Sequence, residues 1–167
     1  ESCSAGSGEC PAQDVAFTAM FVRATTTFSV AGGLAGVAVD TLGPLISQGV
    51  GGVCCILGAG LFAVSGSRKP FEGKLFQYSF SFLIPMGSAF VFFASYSMAL
   101  LHEDPAPALT AVSSLFDSST IVFPVLRSLH ETTGVSREKM FLVYTGFGCF
   151  LFTLVLVGWL LNRVPQP

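Results

Sequence analysis

Along this 167-residue chain, five long apolar runs alternate with short polar joints. The runs are Phe17–Val39, Leu45–Ser65, Leu75–Leu101, Ala108–His130 and Met140–Leu161. Crossing ~30 Å of hydrocarbon as a helix takes about 20 residues at ~1.5 Å each, and every run is long enough. The pattern predicts an all-α, polytopic integral membrane protein. A polar N-terminal segment over residues 1–15 precedes a five-helix transmembrane domain over 16–164. An odd number of crossings places the two ends of that domain on opposite sides of the bilayer.

Small residues and prolines give each run a character. Asp14 is the expected cap of the first helix. Gly32 and Gly36, four apart, cut two notches into one face of that helix for close contact. Gly43–Pro44 ends it in a tight turn. The second run carries Gly49, Gly51, Gly52, Gly58 and Gly60, which suits a helix packed among others. The third is rich in Phe and is expected to kink or break near Pro85–Gly87. The fourth follows Pro105 and Pro107 and is expected to be interrupted at Pro124. The fifth is uniformly apolar, with Trp159 at the depth of an interfacial belt.

Composition agrees, and charge adds an orientation. Mean hydropathy is +0.70 and charged residues are 11%, against about 25% in soluble domains. A net charge of −2 without a basic run excludes a nucleic-acid-binding class. Arg23, Arg68, Lys69, Lys74, Arg127, Arg137 and Lys139 fall on the side of the N-terminus, leaving Arg163 opposite with Asp40, Glu103 and Asp104. The positive-inside rule then predicts an N-terminus in the cytosol, stroma or matrix. The sequence opens on Glu1 rather than Met, so a removed upstream targeting segment is expected. That favours an organelle, the thylakoid or mitochondrial inner membrane, with the plasma membrane as the alternative.

Asp117 is the sharpest chemical candidate, in the mid-run segment Phe116-Asp117-Ser118-Ser119-Thr120-Ile121-Val122-Phe123-Pro124. An intramembrane carboxylate costs several kcal/mol unless paired or wet. Either it marks a substrate, cation or proton path with Ser118 and Ser119, or it is a structural acid neutralised by Arg23 or by hydrogen bonds between helices. Arg23 itself either snorkels to the interface or joins that path. His102 and His130, beside Glu103 and Glu131 at helix ends, are weak candidates to ligate haem or chlorophyll. Cys3 and Cys10 form either a small disulfide loop or two free thiols, while Cys54, Cys55 and Cys149 read as packing residues. No zinc-ligand spacing, nucleophile constellation, P-loop or dinucleotide fingerprint occurs, so neither a metal site nor an enzyme is expected.

Between the first two runs, Gly36-Val37-Ala38-Val39-Asp40-Thr41-Leu42-Gly43-Pro44 resembles the short loop joining the second and third helices of major facilitator superfamily carriers. With Phe116 to Pro124 and Gly134-Val135-Ser136, the chain resembles the branch that carries large neutral amino acids, including its apicomplexan relatives. The resemblance implies that the five runs match helices two to six of a twelve-helix carrier, an incomplete N-terminal half. It also implies a latch role for the acid at Asp40, with Gly36 and Gly43 shaping the loop. Thr41 and Leu45 stand where the family has the latch's basic partners. The family keeps that loop in the cytosol, whereas the charges here put it on the opposite side.

Two functions are therefore expected. The first is a non-catalytic subunit packed within a larger photosynthetic or respiratory membrane complex. Its partners are other membrane subunits and the lipid bilayer, with bound lipid, chlorophyll or carotenoid as the cofactors such a complex would bring. The second is a fragment or half of an amino-acid carrier of the resembled superfamily.

Overall fold

The structure, a computed structural model, describes residues 11–65, 72–100, 104–118 and 121–162. Among them every regular element is helical. In chain order these are α1 (Pro11–Leu42), α2 (Pro44–Val64), α3 (Glu72–Tyr78), a π-helical stretch (Ser79–Leu83), α4 (Ile84–Ala99), α5 (Pro105–Ser118), α6 (Val122–Thr133) and α7 (Arg137–Asn162). Four segments are long and apolar enough to cross a membrane: Thr18–Leu42, Pro44–Val64, Ser79–Ala99 and Glu138–Gly158. The expected fourth span, Ala108 to His130, is not among them; its described residues form α5 and α6, with 119 and 120 between them outside the described residues.

A single residue, Gly43, turns α1 into α2. Its φ of 86° lies in the left-handed region that disfavours side chains, and Pro44 then starts α2 where a missing N–H costs nothing. The first helix begins at Pro11, so Asp14 lies within its first turn and is not the cap.

The third run is continuous through Pro85, and its distortion sits one turn earlier. Pro85 has no N–H for the Ser81 carbonyl and its ring crowds that turn. The backbone responds by widening, with the Ile84 N–H reaching back to the Ser79 carbonyl five residues away. The Ser81 hydroxyl is buried without a hydrogen-bond partner among the described residues.

Helix directions follow from which side chains meet. Gly51 lies against Gly87 and Phe90, Gly58 against Leu83 and Ile84, and Phe62 against Phe80, so α2 and α4 are antiparallel. Gly52 meets Phe152 and Phe62 meets Phe141, so α7 is antiparallel to α2 as well. Thus α1, α4 and α7 all run the same way. Since α4 ends where α7 does not begin, the segment that holds α5 and α6 must carry the chain back along the bundle. This also gathers the exposed side chains Arg23, Lys74 and Lys139 toward one end, and Asp40 and Asp104 toward the other.

The tightest seam lies between α2 and α4. Gly51, Cys55 and Gly58 share one face of α2, spaced four and three residues apart. A Cβ on Gly87 would stand 2.6 Å from the Gly51 carbonyl oxygen and 2.7 Å from the Cys55 amide nitrogen. The Cys55 Sγ lies 3.8 Å from the Ser88 Oγ and 3.9 Å from the Ile84 carbonyl, long sulfur contacts that fill the seam. Glycines thus make the interhelical approach that hydrophobic driving force cannot supply in lipid. Gly32 takes the Phe93 ring of α4, while Gly36 faces open space, so only one of the two expected notches on α1 is used.

Candidate functional site

The last described turn of α5 brings chemistry to the centre of the bundle. The Phe116 ring lies 5.4 Å from that of Phe28 on α1 and 4.6 Å from that of Phe92 on α4. Phe28 is ~3 Å along its helix from the middle of the Thr18–Leu42 span. Phe92 is ~5 Å from the middle of the Ser79–Ala99 span. Asp117, the next residue, is therefore close to mid-depth. It is exposed on the outer side of α5, as is Ser118, whose hydroxyl donates to the Leu115 carbonyl at 3.0 Å.

An aromatic wall holds this end of α5 in place. Phe92 touches Phe28, Phe93 at 90°, Phe116 and Tyr96, whose ring centroid is 4.7 Å away. Tyr96 hydroxyl donates to the Ser113 Oγ, and Ser113 donates in turn to the Leu109 carbonyl at 3.1 Å. This chain of donors registers α5 against α4 in antiparallel fashion, Ser113 beside Tyr96 and Phe116 beside Phe92. No local pattern in the sequence signals this pair, because Tyr96 and Ser113 belong to different apolar runs.

The expected interruption at Pro124 is not observed: α6 runs through it. α6 starts at Val122, after Ile121, so Pro124 occupies its first turn, where proline is tolerated. Ser119, with His102, Cys3, Cys10 and the Trp159 side chain, lies outside the described residues.

Arg23 is exposed on α1 and, five residues before Phe28, points about 140° round the helix from it. The fold therefore does not gather Arg23 with Asp117. Lying ~8 Å inside the start of its span, it is within snorkelling reach of the interface. Gly36, Asp40 and Gly43 do fall together at the α1–α2 hairpin, with Asp40 exposed and Gly43 buried. Thr41 beside them donates to the Val37 carbonyl at 2.7 Å.

His130 is exposed near the end of α6, which closes on left-handed Gly134 with φ 67°. Its Nδ1–H donates to the Val135 carbonyl at 2.7 Å, which fixes the tautomer and leaves Nε2 as the nitrogen able to ligate. Among the described residues, no three His, Cys, Asp or Glu side chains gather.

No protein-family model matches the chain, and neither a curated protein nor a solved structure does.

Proposed function

We propose that this chain is a non-catalytic integral-membrane unit that works packed against other membrane subunits. The observation that carries this reading is the acid that α5 exposes near mid-depth. Asp117 and Ser118 lie exposed in the last described turn of α5, where lipid chains are a poor neighbour for a carboxylate. Protein or a wet path must cover that side. The reading assigns the chain five crossings, four by single helices and one by the α5–α6 pair. Extraction from its native membrane in mild detergent, followed by native mass spectrometry, tests it. Co-migration with other membrane polypeptides is expected, and a particle of this chain alone overturns the reading. We place the assembly in a thylakoid or mitochondrial inner membrane, and organelle fractionation tests that finer placement.

A second reading, part of an amino-acid carrier of the major facilitator type, is favoured by one specific feature. An acid near mid-depth in an apolar segment is a feature of the substrate and ion sites of secondary transporters. In this reading Asp117 and Ser118 border the path. Asp117→Asn then abolishes uptake of large neutral amino acids by vesicles holding the complete carrier. Unchanged uptake removes Asp117 from the path.

A further inference from the structure

We infer that the hairpin end of the α2–α4 seam holds an ordered water molecule, bound between the Gln48 amide of α2 and the Ser95 hydroxyl of α4. The site forms within this chain, so it is the same in a subunit and in a carrier.

Spacing sets these two side chains opposite each other. A seven-residue step returns to within ~20° of the same helix face. Gln48, Cys55 and Phe62 therefore form one line along α2, and Ser81, Ser88 and Ser95 form one along α4. The two lines meet at two levels. Phe62 lies 6.3 Å between ring centroids from Phe80, the residue before Ser81. The Cys55 Sγ lies 3.8 Å from the Ser88 Oγ. In antiparallel helices, one step back from Cys55 faces one step on from Ser88, which pairs Gln48 with Ser95. Depth agrees, since Gln48 lies ~6 Å inside the start of its span and Ser95 ~6 Å inside the end of its own.

Hydrogen-bonding capacity is left over at this level. Gln48 is 5% exposed, and its amide forms no hydrogen bond among the described residues. The adjacent Ser47 hydroxyl, 1% exposed, has no partner among them either. Across the seam the Ser95 hydroxyl donates to the Val91 carbonyl at 2.8 Å, so its oxygen is left to accept. Gln48 brings two N–H groups and a carbonyl oxygen. Unpaired buried amides are costly, and lipid chains offer them neither donor nor acceptor.

Three requirements identify the occupant. It must donate as well as accept, which a hydrocarbon chain or a metal cation does not. It must be neutral, because no charged side chain is buried among the described residues. It must be small, because Gly51 and Gly87 draw the two backbones together one turn away. Water meets all three, and bridging two polar groups that do not touch is its ordinary structural role. One level deeper Cys55 already meets Ser88 directly, so the water belongs at Gln48.

Solid-state NMR of the full chain in lipid bilayers, with glutamine side-chain nitrogens labelled, tests this. Magnetisation started on water is expected to reach the Gln48 amide, assigned as the signal that Gln48→Leu deletes. A water-soluble gadolinium chelate is expected to bleach the exposed Gln77 amide and spare that of Gln48, which marks the water as bound rather than bulk. Ser95→Ala removes the acceptor and is expected to lower the transfer about fivefold, the worth of one hydrogen bond. Ser88→Ala, one step deeper, is expected to leave it unchanged. Absence of transfer in the unaltered chain overturns the proposal without any variant having to fold, whether the amide is dry or bonds Ser95 directly. Bleaching of Gln48 as strong as that of Gln77 overturns it too. So does a transfer indifferent to Ser95→Ala, or one that falls equally with Ser88→Ala.

Discussion

Two parts of this molecule are held together by different means. In the body of the bundle, between α2 and α4, backbone approaches backbone. Gly51 and Gly87 leave so little room that each would place a Cβ within 2.8 Å of the other helix. The outer helices α5 and α7 attach through side chains. α7 leans on α2 with the Phe152 ring seated over Gly52 and Phe141 against Phe62, at 4.6 Å between centroids. α5 leans on α4 through Phe116 and Tyr96. The outer helices also differ from each other. The outward side of α7 is mostly apolar, so lipid completes it, whereas α5 exposes Asp117 and Ser118, which lipid does not complete. In a membrane, exposure on the isolated chain therefore has two meanings, and polarity tells them apart.

The largest way to break the comparison is to fill the α2–α4 seam. Gly87→Leu sets a side chain against the Gly51 carbonyl and the Cys55 backbone, atoms that cannot rotate away. A loss of about 3 kcal/mol is expected from such overpacking. Gly148→Leu on α7, where an added Cβ meets nothing within 4 Å, is expected to change stability by less than about 0.5 kcal/mol. Unfolding by denaturing detergent, followed by circular dichroism, reads both. Equal effects at the two positions would erase the distinction between body and periphery.

A smaller effect tests the attachment of α7. Phe152→Ala removes the ring from the Gly52 notch, and lipid or the neighbouring Phe141 fills part of the space. A cost of about 1–2 kcal/mol is expected, below the soluble-core value because the alternative solvent is also apolar. Spin-label distances between α2 and α7 should broaden while those between α2 and α4 hold. A broadened α2–α4 distance would show that α7 is part of the body after all.

How much of this could be read from the chain follows from the range of each signal. The hairpin at Gly43–Pro44 was legible because its causes are local: one residue with positive φ and one proline at a helix start. The packed nature of α2 was legible from its glycines, and Gly51, Gly52 and Gly58 are indeed buried. Proline was harder. At Pro85 the disturbed carbonyl lies four residues back, so the distortion appears at Ser79–Leu83 and not at Pro85–Gly87. At Pro124 the residue fits the first turn of α6, so the helix is not interrupted there. Asp117 was legible as an acid midway along an apolar run, but the packing of its neighbour Phe116 on Phe28 and Phe92 was not, because those rings are distant in sequence.

The least of the expected effects bears on what positions that acid. Tyr96→Phe deletes the donor to Ser113 and keeps the ring against Phe92. Ser113 retains its own bond to Leu109, so no hydroxyl hydrogen is stranded and the cost is that of one hydrogen bond between membrane helices, about 0.6 kcal/mol. Because Phe116 still packs on Phe28 and Phe92, α5 should keep its place and lose only its register lock. Amide hydrogen exchange should therefore quicken modestly, about threefold, along α5 and remain unchanged in α2. If exchange quickens equally in both, the bond supports the whole bundle. If it quickens in neither, the aromatic wall alone sets the position of Asp117.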